Sequence, residues 1–125
     1  MQYGGVAASL PFIAAAGVER KLLATPLYKV IFDERFPASV AFADQARRSG
    51  QAVHGIRGDI TALWFHDLDL RWKQGPAAIA GLTDANALFF LDLLARDKCM
   101  RVVARTEWPD GLVAWVIAPR AVAEI

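Results

Sequence analysis

The chain has 125 residues, 55% of them hydrophobic, with four Trp and seven Phe, which suits one domain with a sizeable core and excludes a disordered chain. A net charge of +1 with no basic run excludes the electrostatic footprint of a nucleic-acid binder. One cysteine, Cys99, leaves no internal disulfide and no multi-cysteine metal site, and no metal is expected.

The first charged residue is Glu19, and residues 1–18 (MQYGGVAASLPFIAAAGV) are uncharged. Three readings of this stretch compete. Its length is near the lower limit of about 17–25 residues for a membrane-spanning helix. A buried first helix is disfavoured by Gly4-Gly5 and Pro11. The apolar region of a signal peptide suits the composition, with Ala14-Ala15-Ala16 as a small-residue cleavage site and Leu22-Leu23-Ala24 as a second. Residues 1–24 therefore read as a signal-like or anchor segment, through which any membrane contact would run, and residues 25–125 as one α/β domain.

The run Tyr3-Gly4-Gly5-Val6-Ala7-Ala8-Ser9-Leu10-Pro11-Phe12 resembles the central region of twin-arginine export signals, without the Arg-Arg that precedes it in that family. The resemblance covers residues 1–24. It implies a periplasmic or exported protein, with a cytoplasmic one as the alternative. That route carries folded proteins, often with a cofactor or a partner, so the resemblance also implies an accessory role.

From Thr25 the pattern becomes regular. Leu27 to Phe32 is a short β-rich run. Phe36-Pro37-Ala38-Ser39 opens a helix that Ser49-Gly50 ends, with Arg47-Arg48 suited to its last turn. Gln51 to Ile56 predicts a second strand, and Asp59 caps a helix running to Gln74. Ala77 to Gly81 predicts a third strand. Thr83 caps a third helix, Asp84 to Asp97, which is apolar on most sides and so suits deep burial or a partner. Met100 to Trp108 and Leu112 to Ala118 predict two strands joined by the turn Pro109-Asp110-Gly111. The order βαβαβαββ resembles small bacterial α/β proteins. It predicts a three-layer, open, mostly parallel sheet of flavodoxin or Rossmann type, ordered 2-1-3-4-5, with an antiparallel C-terminal hairpin.

In such sheets ligands bind beyond the carboxyl ends of the strands. That rule singles out Asp33, Glu34 and Arg35 after strand one, and Arg57 after strand two. It adds Gly81-Leu82-Thr83 after strand three, and Glu107 and Trp108 after strand four. Asp33 and Glu34 are the candidate catalytic acid/base pair, set against a solvated loop neutralised by Arg35. Arg35, Arg57, Thr83, Glu107 and Trp108 are candidate ligand-binding residues. Thr83 is set against plain helix capping, and Trp108 suits an interface or apolar ligand. No P-loop and no dinucleotide fingerprint follows any strand. His54 reads as a structural strand histidine. His66-Asp67-Leu68-Asp69 does not put both acids on the histidine's helical face. Cys99 reads as a small core or boundary residue.

The sequence names no reaction and no cofactor. It supports an exported binding or accessory protein, acting with a protein partner or as a homo-oligomer, without nucleic acid. The alternatives are a small-molecule enzyme with a strand-end site around Asp33, Arg57 and Thr83, or a structural subunit docking through helix three or the last hairpin.

Overall fold

The computed structural model describes residues 26–119. The signal-like segment, and with it the export and anchor readings, lies outside them. Among the described residues no helix is long and apolar enough to cross a membrane.

Five strands form one mixed sheet in the order β2-β1-β3-β5-β4. Strand β1 (Lys29–Asp33) pairs in parallel with β2 (Val53–Ile56) on one side and β3 (Ile79–Asp84) on the other. Strand β5 (Leu112–Pro119) is antiparallel to both β3 and β4 (Met100–Glu107). The predicted flavodoxin- or Rossmann-like sheet ordered 2-1-3-4-5 is therefore overturned: the last strand lies inside the sheet, and β4 takes the edge. Side-chain chemistry explains the exchange. From Leu112 to Ala118 every residue of β5 is buried, which requires neighbours on both edges and cover on both faces. Strand β4 exposes Arg101, Arg105 and Glu107, charges that suit an edge and discourage further strand addition. A bulge between Val102 and Ala104 bends that edge.

Helices flank both faces. Helix α1 (Pro37–Arg48) begins on a proline pre-set for the first turn and ends with Arg47 and Arg48 at the negative end of its dipole. It packs Phe42, Ala43 and Ala46 against Val30, Phe32, Ala80 and Leu82. The opposite face carries α2 and α3. Helix α2 runs through three stretches: α-helical Thr61–Leu63, a π turn at Trp64–Leu68 and α-helical Asp69–Lys73. Helix α3 spans Ala85–Arg96. Leu63, Leu68 and Trp72 from α2, with Leu88 and Leu91 from α3, cover Ile31, Ile79, Trp115 and Ile117.

Strand β3 runs three residues beyond the predicted stop at Gly81, to Asp84. Gly81 is not a turn residue. It lies opposite Trp115 in the β3–β5 ladder, and a Cβ there would meet the indole Cζ2 and lie 2.8 Å from the Ile31 carbonyl oxygen. Glycine is the bed on which the tryptophan lies. The α3 cap is accordingly Asp84, whose carboxylate accepts from the Ala87 N–H at 2.9 Å, and not Thr83. Cys99 is exposed, with φ of 61° in the turn after α3, not a core residue.

Candidate functional site

From β1 the chain passes to β2 on one side, then returns past β1 to β3 on the other. The connections diverge at the carboxyl ends of β1 and β3, where Asp33, Arg35 and Asp84 meet. The Asp33 side chain is fully buried and accepts from Arg35 three times: from the backbone N–H at 3.0 Å, from Nε at 3.0 Å and from Nη2 at 2.7 Å. The same Nη2 reaches Asp84 at 3.0 Å. Hydrogen bonding to Asp33 pushes the Arg35 pKa further up, so this cation is permanent. Ser39 in the first turn of α1 accepts from the Asp33 N–H at 2.7 Å and donates to the Leu82 carbonyl at 2.6 Å. One hydroxyl thus ties β1, α1 and β3 together.

Two glycines let the β1–α1 loop lie across the β2–α2 loop. Gly58, at φ +88°, has the Arg35 guanidinium 2.7–2.9 Å from where a Cβ would stand. Gly55 lies against the Glu34 carboxylate. Glu34 and Arg57 form an exposed ion pair at 3.6 Å. The structure therefore gathers Asp33, Glu34, Arg35, Arg57 and Asp84 into one charged crevice.

It does not gather the rest. Thr83 is buried and satisfied, accepting from Trp115 Nε1 at 3.0 Å and donating to the Asp84 carbonyl at 2.9 Å. Glu107 and Trp108 end the edge strand, with β5 between them and β3. Glu107 pairs with Arg105 at 3.1 Å, and the half-buried Trp108 packs against the core on the α1 face of the sheet. The crevice is chemically closed on itself, because Asp33 could act as an acid or base only by giving up its bonds to Arg35.

Sequence reasoning missed a second polar cluster, at the opposite end of β1. Asp67 accepts from both Tyr28 Oη and Lys29 Nζ, while the Lys29 and Arg71 cations sit over the Tyr28 ring at 5.2 and 5.5 Å. Asp67 lies in the π turn, where one extra residue per turn shifts side-chain directions from the α-helical pattern. Helical spacing therefore could not place it, and only the His66-Asp67-x-Asp69 run marked the spot. Among the described residues no group of three His, Cys, Asp or Glu side chains could hold a metal.

This cluster sets a pH response. Hydrogen bonding to Asp67 pushes the Tyr28 pKa up. Burial, then the Lys29 charge, holds the His54 pKa below its ordinary value, with Asp67 and Glu34 pulling weakly the other way. The unfolded chain therefore takes up this proton first as pH falls. The stabilisation is complete above about pH 6.5 and is lost as pH drops through the folded-state value. For Asp67, burial pushes the pKa up, but hydrogen bonds from Lys29 and Tyr28 outweigh it and leave the value depressed. Its contribution is present above about pH 3.9 and is lost at still lower pH. Urea denaturation between about pH 7 and about pH 5 is expected to show falling stability, with a flatter slope in His54→Gln. Equal slopes would contradict this assignment.

A third feature is apolar. Six large hydrophobic side chains are exposed among the described residues, and five of them (Phe65, Leu70, Phe89, Phe90 and Leu93) belong to α2 and α3. Phe89 and Phe90 are 56% and 50% exposed and meet edge-to-face at 5.3 Å between ring centroids. Helix α3 buries Leu88 and Leu91 in the sheet and still presents this second apolar stripe outward. A groove of about 400 Å³ at the start of α2 is lined by Gly58, Asp59, Ile60 and Thr61 and by Phe90, Leu93 and Leu94 of α3.

No family model matches the chain, and neither a curated protein nor a solved structure matches it.

Proposed function

We propose that this protein works by binding, as an accessory subunit that docks through the outer face of the α2–α3 layer. The observation that carries this reading is the distribution of large exposed apolar side chains among the described residues, five of six on α2 and α3, beside a mostly apolar groove. Monomeric soluble proteins rarely expose contiguous apolar patches above a few hundred Å², and larger ones mark interaction sites. The strand-end crevice supports catalysis less well, because Arg35 occupies Asp33 and Trp115 occupies Thr83. The uncharged, small-residue-rich stretch at residues 1–18 supports placing this docking outside the cytoplasm.

Complementation of a deletion strain tests the reading. Phe89→Ser with Phe90→Ser is expected to abolish complementation while the purified variant keeps its circular-dichroism spectrum. Glu34→Gln with Arg57→Gln, which alters the exposed part of the crevice, is expected to complement fully. The reverse pattern would put the function in the crevice and defeat the docking reading.

A further inference from the structure

A cation held in place without an acid partner lies at the far end of β1 from the charged crevice. Arg71, in the last turn of α2, is half-buried, and no carboxylate among the described residues pairs with it. It is steadied from two sides: its Cζ lies over the Tyr28 ring at 5.5 Å from the centroid, and its Nη1 donates to the Gly75 carbonyl at 3.2 Å. The Tyr28 ring is itself anchored, because its hydroxyl donates to Asp67, whose other carboxylate oxygen accepts from Lys29. Asp67 belongs to the π turn of α2. The turn thus carries the carboxylate to Tyr28 and steadies the ring on which Arg71 lies. Gly75, at φ +133°, adopts a conformation that favours glycine and presents the carbonyl that holds the guanidinium. A guanidinium fixed in this way gives up little rotamer freedom on meeting an anion.

Tyr28 and Arg71 line two clefts. One, of about 360 Å³, also contains Asp67, whose charge disfavours an anion there. The other, of about 350 Å³, lies where β1 and β3 begin and β5 ends. Small-molecule sites span roughly 300–1,000 Å³ and pair apolar walls with a few placed polar groups. Arg71 is the only charged side chain among the described residues of this second cleft, and Pro26, Leu27, Pro76 and Pro119 give it apolar walls. Proline rings are rigid and bring no backbone N–H to compete for a ligand. The Tyr28 hydroxyl is engaged by Asp67, so Arg71 is the group that would orient a ligand. Its planar fork suits the paired oxygens of a carboxylate or phosphate.

We propose that this cleft binds a small organic anion, its carboxylate or phosphate oxygens on Arg71 and its apolar body against Tyr28 and the prolines. Nuclear magnetic resonance titration of the isotope-labelled full chain with benzoate, and separately with phenyl phosphate, tests the site. At least one of the two is expected to shift the Gly75 and Ala77 amide signals saturably, with half-saturation at about 1 mM or below. The anion that saturates first identifies the preferred oxyanion. Benzamide, with the shape of benzoate and no charge, is expected to bind about 10-fold more weakly or worse. Arg71→Gln, and Arg71→Met, which keeps the aliphatic stem, are each expected to weaken binding by about 10-fold or more. Arg57→Gln, at an exposed cation paired with Glu34, is expected to leave it unchanged. Circular dichroism confirms which variants fold, and the comparison with benzamide needs no variant. Absence of saturation by either anion up to about 20 mM overturns the site. So does benzamide binding as tightly as benzoate, or a folded Arg71 variant that binds like the wild type.

Discussion

Trp115→Ala is expected to lower folding stability by about 3–5 kcal/mol, the range for deleting a buried aromatic side chain and leaving a partly collapsed cavity. Trp115 is fully buried near the middle of the most buried strand, and its ring covers Gly81 on β3. The substitution also strips the Thr83 hydroxyl of its indole donor. Domains of this size have total stabilities of about 5–15 kcal/mol, so the variant is expected to be near its limit of folding at physiological temperature. Gly81→Ala approaches the same contact from the other side. Its Cβ would press on the indole and on the Ile31 carbonyl oxygen, and overpacking of this kind costs about 1–3 kcal/mol. The two sites are coupled, so adding Gly81→Ala to Trp115→Leu is expected to cost less than adding it to the wild type. Urea denaturation of the four chains measures that coupling. Strict additivity would show that the ring does not rest on the glycine.

Asp33→Ala is expected to be the most damaging change in the crevice, at about 1–3 kcal/mol, because the buried carboxylate is the acceptor that holds the half-exposed Arg35 in place. Three Arg35 hydrogen bonds would lose their acceptor at once, leaving Arg35 only its Nη2 bond to Asp84. Asp33→Asn preserves the shape and one carbonyl acceptor, so its loss is expected to be about half as large. A structural Asp33 predicts that folded Asp33→Asn still complements the deletion strain, with the damage read in the denaturation midpoint. Full stability with lost function would instead mark Asp33 as a working acid or base.

Much of the element order was legible because local chemistry marks it. Pro37 starts α1, Gly50 at φ 87° stops it, and Pro109-Asp110-Gly111 turns the last hairpin, with Asp110 and Gly111 both left-handed. The uniformly apolar run of β5 beside the alternating β4 also carried the correct strand order. The competing rule, that consecutive strands usually lie side by side, points instead to β4 next to β3. Gly81 misled for a similar reason: glycine after an apolar run reads as a turn, and only the cross-strand tryptophan explains it. That error shortened β3, moved the cap from Asp84 to Thr83 and placed Thr83 in a crevice it does not reach. Asp33 and Arg35 were legible as neighbours. Their bidentate closure, and the bridge to Asp84, depend on the β1–β3 pairing and so were not. The Asp67 cluster was invisible because a π turn breaks the periodicity from which its direction would be read. The greasy character of α3 was plain, and burial of only one side of it locates the surface left over.

The central claim is that the α2–α3 layer is the working face of this protein. Photo-crosslinking in the native host, with a benzophenone amino acid replacing Phe89 on α3 or Val40 on α1, tests it most directly. Position 89 is expected to give adducts, and position 40 none. Adducts from position 40 with none from position 89 would contradict the account.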